Sequence, residues 1–316
     1  MRGARASYRR LVHTQNVDVR VTPLAGALGA EVRGFQLGQM SAAEFAAFRQ
    51  LWLEHLVLFF PDQDLTPDDH VAFAQRFGEI EIHPFIPKLS DDYPQIVVLR
   101  GEQGARADVF HTDVTFSATP PLCSILNAKV MPPVGGDTIF TNQYLAYSEL
   151  SAPFRDLLES LTAVHTALAF GHPEQQAEHP IVRTHPETGR KSLFVNRQFT
   201  SHIPQLKPGE SDALLAYLYA WSEQPQFQVR YRWAEGTIGI WDNRCTQHYA
   251  VNDYPPEQAR RIERITVLGD SPAGNEPRYP HFRPVQFSAS SGTVYAARRG
   301  GKMSPAPMDA RQNTFK

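Results

Sequence analysis

Phe110-His111-Thr112-Asp113-Val114-Thr115-Phe116 sets an imidazole and a carboxylate two residues apart, among β-branched and aromatic neighbours. Such a composition suits a strand. In a strand, residues i and i+2 point to the same side, so His111 and Asp113 are expected side by side. The two groups offer a divalent cation a nitrogen and an oxygen, and one more histidine would complete a 2-His-1-carboxylate set. Alone the pair is a weak signal, because 12 histidines and 33 acidic residues make a chance His-x-Asp common.

The 316 residues allow one large domain or two small ones. Hydrophobic content of 42% and charged content of 20% are those of an ordinary globular protein. A net charge of -2 argues against bulk nucleic-acid binding. The longest apolar run, at 56–60, is far short of the roughly 20 residues of a membrane helix. Cys123 and Cys245 are too few for a disulfide framework, so the cytoplasm, a reducing compartment, is the default location. Arg2, Arg5, Arg9 and Arg10 precede the first acid, Asp18. That lead admits an organelle-targeting segment, but residues 1–16 are expected to be a disordered, solvated N-terminus.

Working outward, apolar alternation at 17–21 and a glycine-bent run at 28–37 predict two strands. Ser41 and Glu44 have capping-box spacing, and Phe45, Phe48, Leu51 and Trp52 follow on one helical face. A buried strand is expected at 56–60. Thr66-Pro67-Asp68-Asp69 starts another helix, which Gly78 ends. Further strands are expected at 96–100, 122–131, 137–141, 193–196, 227–233, 236–241 and 262–268. Helices are expected at 144–150, 153–161 (capped by Ser151) and 210–221, and a loop at 170–180. There is no βαβ rhythm and no phosphate-cradling glycine loop. The expected fold is α+β with a β-dominated core: a jelly-roll or cupin-like double-stranded β-helix with helices packed outside. Residues 17–270 form the expected domain, and the proline-rich 271–316 an irregular extension.

The third ligand type appears in Trp241-Asp242-Asn243-Arg244-Cys245-Thr246-Gln247-His248-Tyr249-Ala250. Next comes Arg260-Arg261-Ile262-Glu263-Arg264-Ile265-Thr266. As a strand it sets Arg260, Ile262 and Arg264 on one face, and Arg261, Glu263 and Ile265 on the other. A single arginine there would be a solvated edge charge. Two on one face suggest a side that receives anions, since guanidinium binds carboxylate or sulfonate as a fixed fork.

Taken together, these segments resemble the taurine dioxygenase (TauD/TfdA) family of Fe(II)- and 2-oxoglutarate-dependent dioxygenases, over about 24–270. The ordered matches are His-Thr-Asp-Val-Thr-Phe at 111–116, Gly-Gly-Asp-Thr at 135–138, Val-Arg-Thr-His-Pro at 182–186, Leu-Phe-Val-Asn at 193–196, Phe-Gln-Val-Arg at 227–230, Trp-Asp-Asn-Arg at 241–244, Gln-His-Tyr-Ala at 247–250, and the arginine strand. The resemblance implies His111, Asp113 and His248 as iron ligands, with Thr138 and Arg260 on the far carboxylate of the co-substrate 2-oxoglutarate. It implies Arg264 and His83 on the substrate anion, and Val114 and Phe199 beside the substrate. One inserted residue leaves Arg261 as a competitor to Arg260, although strand parity favours Arg260.

O2 is the second implied co-substrate, and the products would be succinate, CO2 and a hydroxylated substrate that expels its anion. Ile86 and Ala107 stand where the taurine enzymes carry a tyrosine and an asparagine for the amine. Losing those partners disfavours a substrate ammonium. The expected substrate is therefore a small organic anion, first an organic sulfonate more apolar than taurine. An alkyl sulfate, an aryloxyalkanoate or a biosynthetic hydroxylation remains open, as does a non-catalytic jelly-roll binding protein. No nucleic-acid or membrane partner is expected, and the expected assembly is a homo-oligomer, a dimer or tetramer.

Overall fold

The computed structural model describes residues 10–13, 18–63, 65–101 and 107–284. By contacts the chain divides into Met1–Phe282 and Arg283–Lys316. Most of the N-terminal lead and most of the C-terminal extension lie outside the described residues.

Strands β1 (Arg10–His13), β2 (Asp18–Pro23) and β3 (Ala30–Arg33) form an antiparallel run. The second expected strand is cut short by Gly34, whose φ of 109° turns the chain where a Cβ would lie 2.5 Å from the Asp18 carbonyl. Helix α1 (Ala42–His55) starts at the expected capping box between Ser41 and Glu44. Strand β4 (Val57–Phe60) follows, and α2 (Pro67–Gln75) starts at a second box between Thr66 and Asp69. The chain continues through β5 (Val97–Arg100), β6 (Cys123–Val130), β7 (Thr138–Asn142), α3 (Gln143–Ser148), α4 (Ala152–Leu158), β8 (Thr162–Ala167) and β9 (His172–Pro180). Then come β10 (Val182–Thr184), β11 (Lys191–Leu193), β12 (Thr200–His202), α5 (Pro208–Ser222), β13 (Gln228–Tyr231), β14 (Ile238–Asp242), β15 (Thr246–Ala250) and β16 (Arg261–Val267).

The large sheet runs β1-β2-β3-β4-β14-β6-β16-β5, and a smaller one runs β13-β7-β15. Side-chain parity shows how they stack. Val57 and Phe59 of β4, Leu126 of β6, Trp241 of β14 and Ile262 of β16 pack with Phe140 of β7 and with Val229 and Tyr231 of β13. The alternate residues Leu58, Phe60, Ile125, Ile240 and Ile265 pack instead under Phe48 and Trp52 of α1 and Phe73 of α2. Covered on both faces, β4 is apolar throughout, as its sequence requires. The result is the expected double sheet with helices outside. A further sheet, β12-β8-β9, stands beside it, and α3, α4 and α5 share a separate apolar cluster with β8, β10 and β11.

Three expectations are corrected. The 110–116 stretch is not a strand: His111 forms a lone bridge to His248, and 113–116 is a turn. The expected loop at 170–180 is largely β9, which pairs antiparallel with β8. Ser151 precedes α4, but its side chain makes no cap hydrogen bond. Beyond residue 270 the chain still bonds the domain, with Thr184 N donating to Ala273 O at 2.7 Å and Phe282 N to Pro204 O at 2.6 Å.

Candidate active site

The site lies on the inner face of the double sheet, in a cavity of about 430 Å3. Its floor begins at a backbone pair: His111 N donates to His248 O at 3.0 Å, and His248 N to His111 O at 2.8 Å. This exchange sets the two rings 4.1 Å apart. The following turn carries Asp113 back toward them. Val114 in that turn has φ 50°, a strained conformation for a β-branched residue. Thus the turn, rather than strand alternation, sets Asp113 Oδ1 at 3.7 Å from His111 Nε2 and 3.9 Å from His248 Nε2.

The ligand atoms of these three buried residues all lie within 4.8 Å of one another, so one ion could touch all three. His111 Nδ1 lies 2.7 Å from the Val109 carbonyl, which keeps its proton there and leaves the Nε2 lone pair free. Burial lowers the pKa of both histidines, that of His248 to about 3, so both are neutral, as metal binding requires. Burial alone would raise Asp113, but the Arg264 charge, with the Ser124 hydrogen bond, holds it well below the ordinary carboxylate range. The donor set fits a divalent iron.

Thr138 and Arg260 line the same cavity. Thr138 Oγ1 accepts from Trp233 Nε1 at 2.8 Å, which leaves its own proton to donate. Gly136, at φ 71°, brings its backbone against the Arg260 side chain, and Arg260 Nε donates to the Gly136 carbonyl at 3.3 Å. Burial pulls the Arg260 guanidinium below its ordinary value, with Tyr254 opposing. Among the described residues Arg260 has no ion-pair partner. Arg261 does not line the cavity; it pairs with Glu263 at 2.5 Å.

Arg264 Nη1 donates to Asp113 Oδ1 at 3.0 Å, and Arg264 Nε is buried without a partner. His83 Nδ1 accepts from Phe85 N at 3.2 Å, so Nε2 carries the proton. Burial, reinforced by Arg264, pushes the His83 pKa down to about 3, leaving a neutral donor. Val114 and Phe199 share an apolar cluster with Phe116 and Phe170. Ile86, Ala107 and Ala169 also line the cavity. Every site residue expected from the sequence therefore falls in or on one cavity.

Sequence reasoning missed Ser124, Asn243 and Glu81. Ser124 Oγ donates to Asp113 Oδ2 at 2.7 Å. Burial pushes the Glu81 carboxyl up to about 7, against the pull of Arg264. The only signal for Glu81 was its place two residues before the His83-Pro84 pair. A second cluster, His185, Asp242 and Cys245, is also close enough for a metal. There, however, Arg244 Nε donates to Asp242 Oδ1 at 2.8 Å and Nη2 to Oδ2 at 2.7 Å, and His185 Nε2 lies 3.0 Å from Oδ2. Oδ1 also accepts from Arg244 N at 2.9 Å, so each Asp242 oxygen carries two hydrogen bonds where each Asp113 oxygen carries one, and this cluster is a buried ion-pair network.

The model of the taurine catabolism dioxygenase TauD, TfdA family matches residues 20–266. An alpha-ketoglutarate-dependent sulfate ester dioxygenase of Pseudomonas putida is 37% identical over 83% of this chain and 93% of its own. An alkylsulfatase of Acinetobacter baylyi is 36% identical over 83% and 88%. The crystal structure of a taurine dioxygenase from Burkholderia xenovorans superposes with TM-score 0.75 at 38% identity, covering 83% of this chain and 94% of that one. The chain thus belongs to the TauD/TfdA family and is a 2-oxoglutarate-dependent dioxygenase, with Fe(II), 2-oxoglutarate and O2 as the family's cofactor and co-substrates.

Proposed function

We propose that this dioxygenase oxidises the carbon next to the anionic head of an apolar-bodied alkyl sulfate or alkylsulfonate. The observation that carries it is a polarity split in one cavity. Arg264 and His83 make a cationic and donor pole beside Asp113, while Ile86, Ala107, Ala169, Phe170 and Phe199 line the rest. A tetrahedral oxyanion suits the guanidinium fork and the His83 Nε2–H. A substrate ammonium would find neither a tyrosine nor an asparagine, because Ile86 and Ala107 stand there. The resemblance to a sulfate ester dioxygenase and an alkylsulfatase adds weight to the sulfate ester.

In this proposal His111 Nε2, Asp113 Oδ1 and His248 Nε2 hold Fe(II). When bound, the iron supplies O2 activation coupled to decarboxylation of 2-oxoglutarate. Thr138 and Arg260 grip the far carboxylate of 2-oxoglutarate. Arg264 and His83 hold the substrate head close to Asp113, so the adjacent carbon is the one presented for oxidation. The aromatic wall excludes water. For R–CH2–O–SO3−, adding one oxygen atom at that carbon gives an unstable hemiacetal sulfate. Its collapse yields the aldehyde, sulfate and a proton, alongside succinate and CO2. A sulfonate would give the aldehyde and bisulfite. The proposed setting is a reducing cytoplasm, supported by two cysteines that are both buried and free, with a dimer or tetramer as the proposed assembly.

A panel of linear alkyl sulfates, alkylsulfonates, aryloxyalkanoates and taurine tests the proposal, scoring succinate, aldehyde, sulfate and sulfite. Apolar alkyl sulfates or sulfonates should exceed taurine in kcat/KM by about tenfold or more, since unmet hydrogen bonds of a buried polar group cost about 1–3 kcal/mol. Taurine as the best substrate, or an aryloxyalkanoate turned over faster than every sulfur oxyanion, would overturn it.

A further inference from the structure

Asp113 has two carboxylate oxygens in different surroundings. Oδ1 faces the two histidines and Arg264. Oδ2 faces Ser124 Oγ at 2.7 Å. Ser124 Oγ lies 3.1 Å from Asn243 Nδ2, and Asn243 Oδ1 lies 2.9 Å from Trp241 Nε1. All four residues are buried, Ser124 fully. Sheet register fixes the arrangement, because Trp241 of β14 stands directly opposite Ser124 of β6.

A hydroxyl and a primary amide can each be turned around, so a serine–asparagine pair has no inherent direction. The indole removes that freedom. Its N–H is a donor only, so Asn243 Oδ1 must be the acceptor and Nδ2 the donor toward Ser124. Ser124 therefore accepts from Asn243, and its single proton is left for Asp113 Oδ2. Direction is imposed at Trp241 and transmitted to the carboxylate.

We propose that Trp241, Asn243 and Ser124 form a one-way hydrogen-bond chain that positions Asp113, keeping Oδ2 engaged so that Oδ1 alone is offered to the metal. These are positioning residues: Ser124 and Asn243 act on the ion only through Asp113. Trp241 also packs against the His248 ring at a tilt, with centroids 4.7 Å apart and planes at 52°, so it touches a second proposed ligand directly. The inference rests on His111, Asp113 and His248 being the metal site.

The test uses the full chain loaded with Co(II), whose visible spectrum reports its ligand set in place of Fe(II). Affinity is measured by calorimetry and the spectrum recorded for wild type, Ser124→Ala, Trp241→Phe and, as the hydroxyl-retaining variant, Ser124→Thr. Ser124→Ala should weaken Co(II) by about 10- to 100-fold, the usual effect of removing a partner of a metal ligand. It should also alter the Co(II) spectrum, because the freed Oδ2 can turn to the metal. Trp241→Phe, which keeps a ring against His248, should cause a smaller loss with the same spectral change, and Ser124→Thr should restore both. A Ser124→Ala affinity within about twofold of wild type, or an affinity loss with an unaltered spectrum of the bound metal, would overturn the chain's role. A wild type that takes up no Co(II) would overturn the metal site itself, and the inference with it.

Discussion

Arg260→Met separates a ligand-binding arginine from a structural one. In the free protein the Arg260 guanidinium is drawn out of water, makes one long hydrogen bond to Gly136 O at 3.3 Å, and has no ion-pair partner among the described residues. Arg244 is the opposite case, held by two bonds to Asp242 and one of 2.7 Å to Glu187. Removing Arg244 would strand a buried carboxylate, whereas removing Arg260 strands no charge and frees only the Gly136 carbonyl from one long hydrogen bond. Folding stability should therefore stay within about 1 kcal/mol of wild type, the lost stem packing being replaced by methionine. The loss should appear on 2-oxoglutarate. Hydrogen bonds to a charged group contribute about 1.5–3 kcal/mol, so the Kd should rise about 10- to 200-fold. Calorimetric titration of 2-oxoglutarate into metal-loaded protein, with urea unfolding of the same samples, reads both quantities. Arg261→Met is the internal control: Arg261 lies outside the cavity, turned to Glu263, and should change the Kd by less than about twofold. A Kd for Arg260→Met within about threefold of wild type, a loss of several kcal/mol of stability, or an exchange of phenotypes between the two variants would rule out this role for Arg260.

Asp242→Asn should cost about 3–5 kcal/mol in urea unfolding, because it removes the buried charge paired with Arg244 and leaves that guanidinium only the partly exposed Glu187. Burial opposes its charge, but Arg244 and His185 hold the Asp242 carboxyl below its ordinary value, so its contribution is complete at neutral pH and is lost in acid, below about pH 4. Burial depresses His70 to about 4 and His83 to about 3, so the unfolded chain takes up protons below about pH 6.5 that the folded chain refuses. Each should lower stability by about 1.4 kcal/mol per pH unit as pH falls from 6.5 toward those values, a slope that His70→Gln should halve for this pair. Glu81, with its pKa pushed up to about 7, is charged above that pH, so the KM for an anionic substrate should fall from pH 8 to pH 6 and Glu81→Gln should flatten the dependence. Ile86→Tyr with Ala107→Asn should raise kcat/KM for taurine by about tenfold or more and lower that for alkyl sulfates, by restoring hydrogen-bond partners where the wall is apolar.

The parts of the fold legible in the sequence are those where one local rule decides. The Ser41 and Thr66 boxes, with their carboxylates three residues on, fix two helix starts. The continuous Val57–Phe60 run could only be a strand covered on both faces, and the parity of Arg260, Ile262 and Arg264 placed both arginines toward the cavity. The misses come from tertiary effects. In β9, Pro173 to Glu178 is polar and mostly exposed, so it carries no apolar alternation and is a strand only because β8 pairs with it. His111 and Asp113 were paired correctly for the wrong reason: a turn through Val114 at positive φ does what alternation was expected to do. Ser124 and Asn243 are polar residues in apolar or turn contexts, and only the register of β14 against β6 brings them to Asp113. The prolines at 272, 277 and 280 suggested an extension beginning at 271, yet hydrogen bonds to Thr184, Ser160 and Pro204 carry the domain to 282.

The central claim is that His111, Asp113 and His248 form the iron centre of a dioxygenase that couples 2-oxoglutarate to oxidation of an apolar-bodied sulfur oxyanion. The most direct measurement is product stoichiometry with an alkyl sulfate, with and without Fe(II), in wild type and Asp113→Ala. Succinate, aldehyde and sulfate are expected in equal amounts, only with iron and O2 present, with no turnover in the variant. Turnover without iron, turnover retained by Asp113→Ala, or succinate formed without aldehyde and sulfate would contradict it.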